Sequence, residues 1–533
     1  MDVDMVRCNN ASDNGKNFYY SSSRQQHENE QPRQRKSQFT SNAGPREDTI
    51  SHLNVPPCQG PMVKNKHLPL ICNRKKGICL FVGLLVVLLA SGLGFVYHAV
   101  SVDAYIVREV AEGQQSVTND VGIIARKVEA PSGKRKKSTR TPIIIIPGSL
   151  GSILEAKLDK THSEGGMLCS KVSDWYTLWI SEGAILAQKC FFDNIKMKYN
   201  KISTGGNGQT SPKDEGVEVR VPFYGSSVKG VRCMLPQSEK KCDATKNWKT
   251  IIEKLEALGY IVGIDLFSAP YDFRQGPDDF LVDAYPKLKM LVEYVHKQTN
   301  RKVKLASISM GGPFIHTFFT HFVDQEWKDT YIDSWLSLAG IFNGFTQSFQ
   351  NVVFGRNQFL GFPLFGQTDV RDAYRSWFSA NWLIPKPIYG DDRVILVTPS
   401  HQYRLSDIPD LLYGDQREMY LRSFRYNSTA DPGVPVSCWF SRRFKTVTSL
   451  EIPLEMNETT FYCPLDLPVD VKAVRGGNGD DAVDIDSLSI CKGWKSTFEV
   501  RETAKCHGCL LNSEKVADYL SSSPADKVTN FKT

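Results

Sequence analysis

Several functional classes leave no mark on this chain. Basic residues nowhere interleave with aromatic ones as they do in nucleic-acid modules. Positive charge exceeds negative only modestly, 65 Lys+Arg against 58 Asp+Glu for a net charge of +7. Nucleic acid is therefore not an expected partner. No segment repeats, which excludes a solenoid. Histidine is scarce, ten residues in all, and Cys/His pairs at finger spacing are missing. Cys506 and Cys509 flank His507, but two sulfurs and one imidazole leave a tetrahedral zinc short of a ligand. No metal and no organic cofactor is implied. Charge is also missing from one long stretch, Gly77–Tyr97.

That uncharged run is long enough to cross a bilayer as a helix, and it lies too far from the start and is too long for a cleaved signal peptide. Arg74, Lys75 and Lys76 abut its amino end, which places the preceding residues in the cytosol. The expectation is a single-pass type II membrane protein of the endoplasmic reticulum and secretory pathway. Residues 1–73, rich in Ser, Asn, Gln and Arg, read as a disordered cytosolic tail. Residues 77–97 read as a signal anchor and 101–140 as a juxtamembrane linker, whose basic stretch 134–140 is an exposed hinge and candidate processing site. Nine of the 13 cysteines follow the run: Cys169, Cys190, Cys233, Cys242, Cys438, Cys463, Cys491, Cys506 and Cys509. A luminal or extracellular location makes disulfides expected, with one cysteine left over. The sequons at Asn427 and Asn457 are candidate glycosylation sites.

With 41% hydrophobic and 23% charged residues, the remainder of the chain suits one large α/β domain with insertions, or two domains. It is organised around Lys302–Pro313. Val303 and Leu305 alternate with Lys302 and Lys304 as in a strand. A small-residue turn follows, and Gly311, Gly312 and Pro313 open a helix to about His321. Ser309 sits at the turn. This is the layout of a nucleophile elbow, although Ser307 stands where G-x-S-x-G has its first glycine. A plain Ser-Gly turn is the alternative.

Upstream, Thr141–Ile146 has the continuous β-branched character of a buried parallel strand. It ends in Pro147-Gly-Ser-Leu-Gly-Ser152, a loop suited either to stabilising a developing anion or to a plain turn. Trp248–Leu258 predicts an amphipathic helix stopped by Gly259, Tyr260–Ile264 a strand, Phe280–Gln298 a helix, and Ile332–Leu338 a strand. This alternation implies a mostly parallel sheet covered by helices. Residues 340–430 are aromatic-rich and irregular, as a cap insertion would be. Between Cys169 and Cys190 lie Trp175, Tyr176, Leu178 and Trp179, which suit a stapled loop at a membrane interface or, equally, the core.

A serine nucleophile needs a base, and the base needs an orienting carboxylate. His316 and His321 lie on the elbow's own helix and point away. Near the carboxyl end, the glycine-rich stretch Gly476–Val483 carries Asp480, and the one histidine after it is His507. Ser309, Asp480 and His507 then stand in the chain order expected of this fold.

These pieces resemble the lecithin:cholesterol acyltransferase and lysosomal phospholipase A family over most of residues 141–515. The resemblance rests on Ile146-Pro-Gly-Ser-Leu-Gly151 with Leu154-Glu-Ala-Lys-Leu-Asp-Lys160, Arg220–Gly225, Ala269-Pro-Tyr-Asp-Phe-Arg274, Ser309-Met-Gly-Gly312, Thr398-Pro-Ser400, Gly479–Val483 and His507. It implies an α/β-hydrolase fold over residues 141–520, with a membrane-binding loop at 169–190 and a cap at about 340–430. It implies Ser309, Asp480 and His507 as catalytic residues and the amides of Ser149 and Met310 as oxyanion donors. It also implies disulfides Cys169–Cys190 and Cys438–Cys491; Cys233 with Cys242 is a further candidate pair. The expected chemistry moves an acyl chain from a glycerophospholipid through an acyl-serine to a sterol or to water. The phospholipid membrane, and an activator protein, are the partners it suggests. Alternatives are a diacylglycerol acceptor, or an inactive membrane-tethered lipid-binding protein. The chain departs from the family pattern at Ser307, at Ala339–Gly344 and at Ala482, where threonine is usual.

Overall fold

The structure is a computed structural model that describes residues 139–161, 169–181, 187–201, 208–356, 366–388, 390–456 and 469–522. The readings for the tail, the anchor at 77–97, most of the linker, Asn457 and Cys463 lie outside the described residues. Among the described residues no helix is long and apolar enough to cross a membrane.

β-Branched and aliphatic runs too apolar to face water on either side build one central sheet. Ile143–Ile146 and Val303–Ile308 are buried at every position. The sheet has six strands in the order Thr497–Thr503, Val436–Ser441, Ile332–Leu338, Val303–Ile308, Ile143–Ile146 and Leu266–Ser268. All its pairings are parallel. The first strand of the sheet in sequence lies between the second and the third. Strand order therefore reverses between Ile143–Ile146 and Val303–Ile308, and a crevice opens there at the strands' carboxyl ends. Ile146 pairs with Ser307, so the loop after one strand faces the turn after the other. With helices packed on it, this sheet has the α/β-hydrolase arrangement.

Two smaller sheets flank the crevice. Leu154–Asp159 pairs antiparallel with both Val172–Trp179 and Val217–Arg220. A four-stranded sheet, ordered Gln402–Arg404, Val394–Val397, Phe444–Glu451 and Lys472–Gly479, ends immediately before Asp480.

The structure corrects four local expectations. The strand read at Tyr260–Ile264 is instead Leu266–Ser268. Gly259 and Gly263 both take positive φ, and the Asp265 carboxylate accepts from the Ile261 amide at 2.6 Å, which holds the segment as a turn. The single helix read over Phe280–Gln298 is two, Pro277–Val282 and Ala284–Thr299, broken at Asp283. The stretch 340–430 is not irregular. It holds the helices Thr346–Val353, Gln367–Ser376, Phe378–Trp382 and Asp415–Arg422, each too short for its period to stand out. Finally, the stretch between Cys169 and Cys190 is largely the strand Val172–Trp179.

Candidate active site

The central strand Val303–Ile308 runs into the helix Gly311–His321 through a turn with no spare residues. Ser309 takes φ +58° there, a left-handed conformation that side chains reach only when the surroundings impose it. Its amide donates to Leu338 O at 3.0 Å, and its carbonyl accepts from the Gly312 and Ile341 amides at 2.9 and 3.3 Å. The backbone is thus fixed on both sides while the hydroxyl emerges half-buried from an otherwise buried strand. Ser307, at the position usually held by glycine, is fully buried. Its hydroxyl accepts from the Trp335 indole N–H at 2.9 Å, so the larger residue has a partner as well as space. Gly311 is a position of close approach: a Cβ there would lie 2.6 Å from Pro147 O.

His507 joins Ser309 across 198 residues. Its Nε2 lies 3.0 Å from Ser309 Oγ, and its Nδ1 lies 2.7 Å from Asp480 Oδ2. An ionised carboxylate only accepts, so the proton on Nδ1 points to Asp480 and Nε2 is left to accept from the serine hydroxyl. Asp480 is fully buried. Its other oxygen accepts from the Val483 and Ala482 amides at 2.8 and 3.2 Å, so every face of the carboxylate is engaged. Burial presses the His507 imidazole towards neutrality, but the Asp480 charge and hydrogen bond outweigh it and hold its pKa above the ordinary value.

His316 and His321 do not reach this group. His316 is buried, stacks on Trp494, and has a ring nitrogen 2.8 Å from Ala430 O. Burial lowers its pKa to about 4. A ring nitrogen of His321 lies 3.1 Å from Arg425 O.

The loop after Ile143–Ile146 lies against Ser309. A Cβ on Gly148 would stand 2.8 Å from Ser309 Cβ. The loop's carbonyls are taken up from beneath. Pro147 O accepts from Tyr271 Oη at 3.2 Å, Leu150 O from the Trp179 indole at 2.8 Å and Gly151 O from Asn247 Nδ2 at 3.0 Å. Gly148 O accepts from the Gly151 amide at 3.1 Å. Among the described residues the amides of Ser149 and Met310 have no hydrogen-bond partner. Met310 is the N-cap of the elbow helix, where amides point out of the helix rather than along it. Tyr271, Asn247 and Trp179 thus brace the loop. Sequence reasoning missed that role, although Tyr271 lies in the Ala269–Arg274 motif.

The residues read for the membrane interface divide. Trp175 and Tyr176 are half-buried, with Arg220 over the Trp175 ring at 4.1 Å and Asn194 donating to Tyr176 Oη at 3.0 Å. Leu178 and Trp179 are not at a surface: each is 1% exposed. Strand geometry carries them into the core, and Trp179 spends its one polar atom on the Leu150 carbonyl.

Disulfides join Cys169 to Cys190, Cys233 to Cys242, Cys438 to Cys491 and Cys506 to Cys509. Asn427 is half-buried and its amide donates to Phe424 O at 2.9 Å.

Comparison with known proteins agrees with this geometry. The family model described as lecithin:cholesterol acyltransferase matches residues 175–431, a span that includes Ser309 and stops before Asp480 and His507. The phosphatidylcholine-sterol acyltransferase of Oryctolagus cuniculus is 30% identical over 376 residues, covering 68% of this chain and 79% of that protein. The lysosomal phospholipase A and acyltransferase of Rattus norvegicus is 29% identical over 371 residues, covering 67% and 83%. The phosphatidylcholine-sterol acyltransferase of Gallus gallus is 28% identical over 375 residues, covering 67% and 82%.

Proposed function

Because the chain belongs to the lecithin:cholesterol acyltransferase family, and so is an enzyme of lipid acyl transfer, we propose that it cleaves a glycerophospholipid ester through an acyl-Ser309 intermediate. The hydrogen-bonded line from Ser309 through His507 to Asp480, at 3.0 and 2.7 Å, carries this reading. His507 takes the Ser309 proton as the oxygen attacks the ester carbonyl. Asp480 holds the tautomer and stabilises the imidazolium. The amides of Ser149 and Met310 receive the oxyanion, and a donor of this kind is typically worth about 100- to 1,000-fold in rate. His507 then returns the proton to the departing lysolipid oxygen.

The acyl group leaves in a second attack, by water or by a lipid alcohol of which a sterol is the first candidate. His507 serves as base again. How far the 340–430 region excludes water sets the partition. The disulfides suit a luminal or extracellular compartment, with Trp175 and Tyr176 as the candidate membrane contacts and Asn427 as a candidate glycan site.

The test uses the full chain, wild type and Ser309→Ala, on vesicles of acyl-labelled phosphatidylcholine with and without sterol. The expected result is lysolipid from wild type and none from Ser309→Ala, with the ratio of free fatty acid to steryl ester reporting the acceptor. Equal product from both proteins would remove Ser309 from the mechanism. Phospholipid bound but never turned over by either would favour a lipid-binding protein.

A further inference from the structure

The loop that carries the histidine is closed on itself. The Cys506–Cys509 disulfide spans three positions, so the covalent ring contains His507 and Gly508. The other described disulfides span 9, 21 and 53 positions. A crosslink stabilises a fold mainly by restricting the unfolded chain, and the effect grows with the length of the closed loop. This bridge therefore contributes the least of the four to global stability. What it restricts is local. His507 leads into the short 3-10 helix Gly508–Asn512. Its amide donates to Asp480 O at 2.8 Å, and the Cys509 amide donates to Cys506 O at 3.0 Å, closing the same turn. The imidazole must hold two partners at hydrogen-bond distance at once, and a misplacement of about 1 Å in such a line costs roughly 100-fold in rate.

Access separates this bridge from two of the others. Cys233, Cys242, Cys438 and Cys491 are 0–4% exposed, whereas Cys506 and Cys509 are half-buried at the surface. Exchange requires a thiolate to reach a sulfur. The C-x-x-C spacing is also the one at which thiolates are formed most readily in exchanging pairs. Cys169 and Cys190 are comparably accessible, but the residues they enclose include none of Ser309, Asp480 and His507.

We propose that Cys506–Cys509 is a thiol-exchange site that positions His507, so that the oxidised enzyme is active and a dithiol switches it down. The inference rests on His507 being the base for Ser309. In the exchange, one thiolate of the dithiol attacks Sγ of Cys506 or Cys509. The S–S bond breaks, and the displaced sulfur takes up a proton. The dithiol's second thiolate then attacks the mixed disulfide and releases the other cysteine, which is protonated in turn. Two electrons pass to the pair, two protons accompany them, and the dithiol leaves as its cyclic disulfide.

The test titrates the full chain with dithiothreitol. Free thiols are trapped with an alkylating reagent and located by peptide mass, while turnover of phosphatidylcholine vesicles is followed. Cys506 and Cys509 should become labelled before Cys233, Cys242, Cys438 and Cys491. kcat should fall roughly 10- to 100-fold as they do, with KM little changed, and oxidised glutathione should restore it. The Cys506→Ser/Cys509→Ser variant should show the low kcat without dithiol, ignore dithiol, and melt close to wild type. Full turnover with both cysteines labelled would overturn the proposal, as would a double variant that melts far below wild type, which would make the bridge a stability device. A loss that instead follows labelling of Cys169 and Cys190 would also overturn it. Ser309→Ala separates the two layers. If it retains turnover, the underlying site reading fails. If it is inactive while the labelled wild type runs at full rate, the exchange proposal fails alone.

Discussion

His507 is tied to Asp480 twice, through its backbone amide to Asp480 O at 2.8 Å and through Nδ1 to the carboxylate at 2.7 Å. The first bond sets where the loop sits and the second sets the ring. Burial alone would push the imidazole pKa down, and the Asp480 charge and hydrogen bond more than reverse it. A base works only when neutral, so activity is lost as pH falls through the raised value. The acid limb of kcat/KM, which reports the free enzyme, should lie above about 6.5, the ordinary histidine value. In Asp480→Asn burial is no longer opposed by that charge, so the limb should move below that value, with a loss on the order of 10,000-fold in kcat. A pH–rate profile of both proteins checks this. A limb that stays put would remove Asp480 as the group that tunes His507.

Gly148 tests the loop that faces the serine. A Cβ there would stand 2.8 Å from Ser309 Cβ and 3.1 Å from Ile308 O. Neither neighbour is the end of a flexible chain, so the loop or the elbow must move. Gly148→Ala should lower kcat by roughly 100-fold, because the Ser149 amide and Ser309 Oγ are displaced relative to one another. Steady-state kinetics with a soluble short-chain ester, alongside a thermal melt, separates this from unfolding. Near-normal kcat would place the oxyanion donors elsewhere.

What could be read in advance follows the range of the forces involved. The elbow is local: strand alternation, small residues and the opening of a helix lie within twelve consecutive positions, Lys302–Pro313, and the strand and helix stand there. The chain order of Ser309, Asp480 and His507 was also legible, because order needs no distances. Trp179 and Leu178 were not. An amphipathic strand shows the same pattern whether its apolar face meets lipid or core, and here Leu154–Asp159 pairs beside it and the oxyanion loop takes the indole N–H. Lys304 is similar. Alternation suggested a solvent-facing lysine, but it is 1% exposed and its ammonium donates to Leu520 O and Ser522 O at 2.9 and 3.0 Å. Those carbonyls lie more than 200 positions away, beyond the reach of any local rule.

Ser307 and Trp335 make a pair whose contribution can be isolated. Both are fully buried, and the indole N–H donates to the hydroxyl at 2.9 Å. Ser307→Ala leaves a buried donor without an acceptor and should cost about 1–3 kcal/mol. Ser307→Gly restores the usual elbow pattern and should cost stability in the same way. Trp335→Phe removes the donor, so adding Ser307→Ala to it should cost less than Ser307→Ala alone. Denaturant melts of the double-mutant cycle provide the measurement. Strict additivity would mean that the bond contributes nothing.

Lys386 is the cap's buried cation. It is 4% exposed and donates to Trp382 O and Ile384 O at 2.7 and 3.3 Å. Its ammonium lies 5.7 and 5.9 Å from the Tyr420 and Phe424 ring centres. Burial lowers its pKa to about 7, whereas in the unfolded chain a lysine keeps its proton to about 10.4. Between those values the unfolded state binds more protons, so stability rises with pH through this window and is lost again as pH falls through 7. Lys386→Met cannot titrate. Wild type should therefore gain on it as pH increases from 7 towards 10, by no more than about 1.4 kcal/mol per pH unit. Parallel denaturant melts of the two proteins across that range measure the gain. A constant difference would show that Lys386 keeps one protonation state throughout, held charged by its carbonyls and rings.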